Sequence, residues 1–361
     1  MSKPQTPIDA QTAFTGTVAP SGADILDADK LARWMADNVE GFEGPVEVLK
    51  FAGGQSNPTF LLQTGAGNYV LRRKPPGQLL KSAHAVDREF RVQRALQGSD
   101  VPVARMHVLC EDASVIGSDF YIMDHVAGRN FNEPTMHGLD NGGRSAVIDD
   151  INRVLAALHN VEIDQVGLSD FGPPGHYLER QVTRWSKQYR ATETEDIPAM
   201  NALMDRLSDE MPEDDGQRTL VHGDYRIDNM IFEANGTRCL AVLDWELSTI
   251  GHPFADLASV IMQWQLPAGS EGRGLMGVDR AAVGLPSDKE FIAAYCAQRG
   301  LPGISNFGYY LGFCFFRMAS IIQGVLKRAL DGNASNPERA LKVGAFVPIF
   351  AENGIKALDS Y

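Results

Sequence analysis

Short runs of apolar residues bounded by polar ones at 46–51, 59–64 and 68–73 read as three strands. AGGQSNP joins the first two segments, and GAGN joins the last two as a hairpin-type connection. Two further strands are predicted at 104–110 and 120–125, flanking the turn-rich EDASVIGS. A helix is predicted from Asp27, a candidate N-cap, to Asn38, and another over about 83–97 with Ser82 available as its cap. After Gly128 the spacing changes to three and four. Val147, Ile148, Ile151, Val154, Leu155 and Leu158 form one helical stripe, Leu178, Val182, Trp185 and Tyr189 a second, and Leu203, Leu207 and Met211 a third. Residues 288–299 and 307–330 read as further helices. No internal repeat interrupts this plan, which is an α+β chain with a small strand-rich half and a larger helical half. Residues 1–22, rich in Thr, Pro, Gly, Ser and Ala without periodicity, read as a mobile arm. Residues 23–126 then form the smaller lobe and 127–361 the larger.

Composition narrows the partners. The chain has 361 residues, and its formal charge of -13 argues against a duplex-binding surface, so no nucleic acid is expected. Cys110, Cys239, Cys296 and Cys314 are scattered without a Cys-x-x-Cys pair, which favours buried reduced thiols over a disulfide framework or a structural zinc site. The first twenty residues lack an apolar run and carry little positive charge, so neither a signal peptide nor a transit peptide is expected. Residues 309–326 are the most apolar stretch, but Arg317 and Gln323 interrupt it. That pattern suits a helix buried in protein, so no membrane partner is expected and the cytoplasm is the default location.

The chemistry concentrates in LVHGDYRIDNMIF, residues 220–232, and in LAVLDWE, residues 240–246. Asp224 and Asn229 stand five positions apart, and Asp244 follows Asp224 by twenty at the end of an apolar strand-like run. Hard oxygen donors of this kind suit magnesium, which takes few protein ligands and completes its shell with substrate phosphates. A carboxylate beside such a metal can accept the proton of an attacking hydroxyl. These are the parts of phosphoryl transfer, where positioning and charge neutralisation matter more than covalent chemistry. A solvated HGD turn, with Asp244 capping the next segment, is the plain structural alternative.

HGDYRIDN…LDWE resembles the catalytic signature of the aminoglycoside phosphotransferase family, and the resemblance runs from about residue 45 to the end of the chain. It implies a bilobed protein-kinase-like fold, with a small antiparallel-sheet N-lobe that binds nucleotide and a larger mainly helical C-lobe. By the same match Asp224 would be the base that orients and deprotonates the acceptor hydroxyl, and His222 would brace its loop. Asn229 and Asp244 would bind magnesium, with Glu246 assisting. Arg226 falls where many protein kinases place a cation against the transferred phosphate.

In FAGGQSNPTF, Gly53 and Gly54 let backbone N–H groups approach phosphates closely, and Ser56 and Asn57 are candidate side-chain contacts. A plain hairpin turn is the alternative, because a glycine pair alone is a weak signal. Arg72 of YVLRRKPP falls where the family usually places a phosphate-holding Lys, a departure that keeps the charge and alters the donor geometry. Lys74, on the same strand face, is its rival. Glu89 sits among Val86, Phe90 and Leu96, and an acid on an apolar stripe wants a partner. The resemblance supplies one by pairing it with the strand cation. FYIMDHVAGR resembles the family's hinge, which places Met123, Asp124 and Val126 at the adenine, with the Asp124 carbonyl and the Val126 N–H as the reading groups. Asp256 in HPFADLASV is expected to cap the helix that follows and to anchor the catalytic loop. His159, His176 and His252 have no metal-ligand spacing.

The resemblance thus implies ATP and Mg2+ as cofactors and a small-molecule hydroxyl as acceptor. PPGQLLKSAHAVDREFRV, together with HGDYRIDN, is most similar to members fused to, or encoded beside, acyl-CoA dehydrogenases. That subgroup implies a hydroxyacyl-CoA acceptor and a functional association with an acyl-CoA dehydrogenase. It also implies that a dehydrogenase name would mislabel this chain, which has no Rossmann fingerprint for a flavin site. Lys81, Arg88, Arg180 and Arg184 are candidate partners for the phosphates of CoA. An aminoglycoside or amino alcohol is the alternative acceptor, compatible with the acidic balance and with ETED at 193–196. A catalytically silent nucleotide-binding scaffold is the competing class. Intact Asp224, Asn229 and Asp244 speak against it, and Arg72 alone speaks for it. No activation-loop signature follows Asp244, which disfavours protein phosphorylation.

Overall fold

The computed structural model describes residues 16–52, 57–75, 85–269, 272–334 and 336–360. Described residues up to Val154 pack with Arg226–Ser248 as one compact unit. Leu155–Tyr225 and the described residues from Thr249 onward form a second. The division falls inside the helix Asn141–His159, not at 126/127 where the sequence suggests it. Backbone pairing explains part of the difference, because Arg129 exchanges hydrogen bonds with Phe232, both at 2.8 Å.

The first unit contains a six-stranded antiparallel sheet of β1 (Thr17–Val18), β2 (Glu47–Phe51), β3 (Thr59–Gln63), β4 (Asn68–Arg73), β5 (Met106–Cys110) and β6 (Phe120–Asp124), in the order β1-β2-β3-β4-β6-β5. Side-chain alternation gives the sheet two buried faces. Tyr69, Leu71, Phe120 and Ile122 join Leu31 and Met35 of helix α1 (Ala28–Asn38). Val70, Tyr121 and Met123 join Val86 and Phe90 of helix α2 (Val86–Leu96). The same alternation sends neighbouring arginines apart. Arg72 shares the face of α2, whereas Arg73 lies over the Phe60 ring, 5.5 Å from its centroid, and donates to the carbonyl of Ala23 at 2.6 Å.

Asp27 caps α1 as expected, accepting the Lys30 N–H at 2.9 Å. Paired backbone reaches further back than the expected arm boundary. Thr17 and Val18 pair with Phe51 and Lys50, a strand made by backbone hydrogen bonds with no apolar period to announce it. Residues 1–15 lie outside the described residues. The unit is completed by the hairpin of β8 (Met230–Phe232) and β9 (Cys239–Val242), and the Asp150 carboxylate of helix α3 (Asn141–His159) accepts the Cys239 N–H at 2.6 Å.

In the second unit β7 (Thr219–Val221) pairs antiparallel with β10 (Thr249–Gly251). Its helices are the end of α3, α4 (Tyr177–Thr192), α5 (Pro198–Asp209), α6 (Pro253–Trp264), α7 (Asp288–Arg299), α8 (Phe307–Leu330), α9 (Pro337–Gly344) and α10 (Val347–Ser360). Met211 lies beyond the end of α5. The sequence pattern did not outline α6, because nearly all of its residues are buried and a helix without a polar face has no amphipathic period. Helix α8 packs against α4, α5, α6, α9 and α10. Among the described residues it is the helix long and apolar enough to cross a membrane, and 72% of its apolar window is buried within the protein.

Candidate active site

In the first unit, polar groups gather around Arg72. It is 9% exposed and Glu89 is 1% exposed. Arg72 Nε donates to Glu89 Oε2 at 2.8 Å, Nη2 to Asp244 Oδ1 at 2.7 Å, and Nη1 to Thr59 Oγ1 at 3.3 Å. Glu246 Oε2 lies 4.0 Å from Nη2. One planar guanidinium therefore meets two carboxylates at once, which a single ammonium cannot do with the same geometry. Register sets this up, since Thr59 and Tyr121 are the cross-strand partners of Arg72 on either side. Helix α2 packs on the short 3-10 turn Trp245–Leu247, and so holds Glu89 near the segment that carries Asp244 and Glu246.

Glu89 is gripped from the other side as well. Asn57 Nδ2 donates to its Oε1 at 2.6 Å and the Tyr121 hydroxyl to its Oε2 at 3.1 Å. Burial pushes the Glu89 carboxyl up, against the opposing pull of Arg72. Burial also opposes the charge on Arg72, but Glu89 and its other neighbours outweigh it and hold the guanidinium more firmly protonated than in water. Burial keeps the Tyr121 phenol protonated well above its usual range, so it remains a donor.

Asn57 thus differs from expectation. The sequence offered it as a phosphate contact, whereas its fully buried side chain serves Glu89. Its companions Gly53, Gly54 and Ser56 lie outside the described residues, as do Lys81 and the proposed cap Ser82. Lys74 lies past the end of β4, where it pairs with Asp119 at 2.6 Å and Asp87 at 3.8 Å. Of the two rival cations, Arg72 is the one that meets Glu89.

Asp244 has φ +61°, in the left-handed region that aspartate enters more readily than most residues. Just before it, the Leu243 N–H donates to the Asn229 carbonyl at 2.8 Å, which ties the two candidate metal ligands through the backbone. Arg226 makes a two-point contact with Asp228, at 2.8 and 2.7 Å. Among the described residues no group of three or more His, Cys, Asp or Glu side chains is arranged to hold a metal by itself. The donor set fits magnesium nonetheless: an amide oxygen and one or two carboxylates are the few hard ligands it takes when phosphates supply the others.

At the expected hinge, Met123 is buried in the core beside α2, and the Asp124 N–H donates to the Arg105 carbonyl at 2.9 Å. The Asp124 side chain meets His107 Nε2 at 2.6 Å. Val126 is half-buried against the same core.

The second unit carries His222, Gly223 and Asp224 on the loop leaving β7. Asp256 Oδ2 accepts the His222 N–H at 2.5 Å and Oδ1 the Gly223 N–H at 2.9 Å. Arg317 Nη2 donates to the Gly223 carbonyl at 2.6 Å, and His222 Nδ1 accepts the Asp224 N–H at 3.2 Å. Asp256 therefore anchors the loop as expected, but it caps nothing. It sits inside α6, whose N-cap is His252, accepting the Phe254 N–H. Arg317 escaped the sequence reading, although a charge inside an apolar helix signals a buried polar partner. His159 Nε2 lies 3.6 Å from Asp256 Oδ2, and its Nδ1 meets the Tyr295 hydroxyl at 2.7 Å. The half-buried Asp224 side chain thus stands on a backbone fixed at each of the preceding two residues.

Burial lowers the pKa of His159 and of His252 below 6.5, against the pull of Asp256 and Asp215 respectively. Burial pushes the Asp256 carboxyl up, but His159 and His222 outweigh it and hold it below 3.8. The unfolded chain accordingly binds more protons than the folded one once pH falls through about 6.5, so stability drops with pH from there. Asp256 adds a further loss at still lower pH. Thermal melts of the intact protein at pH 7.5 and pH 5.5 should show the lower melting temperature at the acid value, with His159→Gln reducing the difference. Equal melting temperatures would overturn the assignment of these histidines as buried and neutral.

The sequence profile of the phosphotransferase enzyme family, APH, matches residues 47–303. A chain from Ralstonia eutropha JMP134, named in its crystal structure as a candidate aminoglycoside phosphotransferase, is 45% identical with a TM-score of 0.86, over 93% of this chain and 99% of that one. Aminoglycoside phosphotransferase APH(4)-Ia, in a ternary complex with AMP-PNP and hygromycin B, is 17% identical with a TM-score of 0.59, over 91% and 99%. That is a likeness of fold. Mouse acyl-CoA dehydrogenase family member 10 is 45% identical over 294 residues, covering 81% of this chain and 27% of that protein. Human acyl-CoA dehydrogenase family member 11 is 41% identical over 338 residues, covering 92% and 43%. The chain spans less than half the length of these relatives.

Proposed function

Because the chain belongs to the phosphotransferase enzyme family, we propose that it transfers the γ-phosphoryl group of ATP to a hydroxyl of a small molecule, with magnesium as the metal. The observation that carries this reading is the buried Arg72 fork, which grips Glu89 and Asp244 together. A structural ion pair needs one acid. A guanidinium that spans a helix acid and an acid tied to Asn229 places positive charge where it would neutralise phosphate oxygens, beside the carboxylate that would hold a metal.

In this reading Arg72 contacts nucleotide phosphate and Glu89 fixes its direction. Asn229 and Asp244 hold magnesium, and Glu246 assists. When bound, the metal neutralises charge on the phosphate oxygens. The Asp124 carbonyl and the Val126 N–H read adenine through the main chain, and Gly53, Gly54 and Ser56 contribute phosphate contacts. Asp224 orients the acceptor hydroxyl and takes its proton as the oxygen–phosphorus bond forms and the bond to ADP breaks. His222 braces the Asp224 loop. Arg226 contacts the transferred phosphoryl group once it is released from Asp228.

The acceptor we infer is a hydroxyacyl thioester of CoA, and the supporting observation is that relatives 41–45% identical carry acyl-CoA dehydrogenase names. An enzyme acting beside such a dehydrogenase would take an acyl-CoA that bears an alcohol. The test is incubation with γ-labelled ATP and Mg2+ against hydroxyacyl-CoAs, aminoglycosides, amino alcohols and sugars. Labelled phosphate ester on the CoA series, dependent on Mg2+, is the expected result. Labelling of an aminoglycoside alone would replace the acceptor, and labelling of nothing in the panel would overturn the activity.

A further inference from the structure

Past the hinge the chain runs alongside β8. Arg129 and Phe232 exchange both backbone hydrogen bonds. A Cβ on Gly128 would lie 2.3 Å from the Phe232 carbonyl oxygen, so this close approach requires glycine. The next side chain, Asn130, turns its amide onto the same strand. Nδ2 donates to the carbonyl of Asp228 at 2.8 Å and to that of Met230 at 2.9 Å. A primary amide has two N–H groups, and here each meets one carbonyl. The two acceptors are the residues immediately before and after Asn229.

The rest of the local backbone is fixed as well. The Asn229 N–H donates to the Arg226 carbonyl at 3.0 Å, and the Asn229 carbonyl accepts from Leu243 at 2.8 Å. Both peptide groups that set the Cα–Cβ direction of Asn229 are therefore held, the first by Asn130 through the Asp228 carbonyl and the second by Leu243, while the other bond of Asn130 fixes the next peptide along, at the Met230 carbonyl.

We propose that Asn130 is a positioning residue for the metal: it sets the direction of the Asn229 amide and links that ligand rigidly to the hinge segment at 124–126. The proposal rests on the assignment of Asn229 to magnesium made above. Its consequence is coupling, since the Arg129–Phe232 bridge and the Asn130 amide join the segment that follows 124–126 to the strand that follows Asn229, so each ligand favours the arrangement the other needs. A filler that only satisfies two carbonyls would contribute to stability and leave metal affinity alone.

Asn130→Asp keeps the shape and replaces the donor by an oxygen facing two carbonyl oxygens. In the full chain, Mn2+ binding to the AMP-PNP complex, followed by electron paramagnetic resonance of free Mn2+, should weaken by roughly 10–100-fold, the usual effect of removing a partner that orients a metal ligand. ADP affinity without metal should stay at the wild-type value, and saturating Mg2+ should restore kcat. Asn130→Ala, which introduces no charge, should shift metal affinity in the same direction and serves if the aspartate variant does not fold. Wild-type metal affinity with only a lowered melting temperature in either variant would overturn the proposal. Failure of the wild-type protein itself to bind Mn2+ with AMP-PNP would instead overturn the metal role of Asn229, and this inference with it.

Discussion

Asp224→Asn is expected to lower kcat by roughly 10²–10⁴-fold, the usual worth of a positioned general base, while ATP affinity is retained. The amide keeps the size of the carboxylate and can still accept a hydrogen bond from an alcohol, but it cannot take the proton. The loop backbone has anchors of its own that the substitution leaves in place. Asp256 holds the N–H groups of His222 and Gly223, Arg317 holds the Gly223 carbonyl, and His222 accepts the N–H of Asp224 itself. Single-turnover transfer and ADP titration on the same protein separate chemistry from binding. Unchanged turnover would remove Asp224 from the role of base, and loss of ADP binding would show that the substitution disturbs more than proton transfer.

Glu89→Ala should destabilise the first unit by about 3–5 kcal/mol, the usual cost of breaking a buried ion pair from one side. Removing the acid leaves the Arg72 guanidinium without its more deeply buried counter-charge and takes an acceptor from Asn57 and from Tyr121. Asp244 offers a partial substitute, since Arg72 already touches it. Leaning wholly on Asp244 would take the guanidinium away from its proposed phosphate contact, so nucleotide affinity should fall together with stability. Denaturant unfolding followed at both lobes tests the size, and Arg72→Met in the Glu89→Ala background should recover part of the loss because it removes the stranded charge. A cost below about 1 kcal/mol, the range of exposed ion pairs, would show that the pair is not buried in solution.

Strand and helix positions were legible because they depend on neighbours a few residues away. The short run at 68–73 gave β4 its observed bounds, and the segments 288–299 and 307–330 gave α7 and α8 theirs. Where that local signal is weak, an element's bounds were lost or the element was missed. Helix α6 is buried all round, and β1 is two residues held by backbone bonds. The site divides in the same manner. HGDYRIDN and LDWE announced themselves by residue type and spacing, whereas the sequence around Asn130 and Arg317 does not say which carbonyls they reach.

Residue types and periods alone established a strand-rich part followed by a helical part, the family resemblance and the identities of the candidate donors. Only the folded chain decided which groups meet. It paired Glu89 with Arg72 and left Lys74 to Asp119, gave Asn57 to Glu89, and set Asp256 beneath the HGD loop as an acceptor inside α6. The physical reason is distance along the chain. A dihedral preference or an apolar period is fixed within a turn or a pleat, whereas the partner of a buried charge is whichever group a distant segment brings back within about 3 Å.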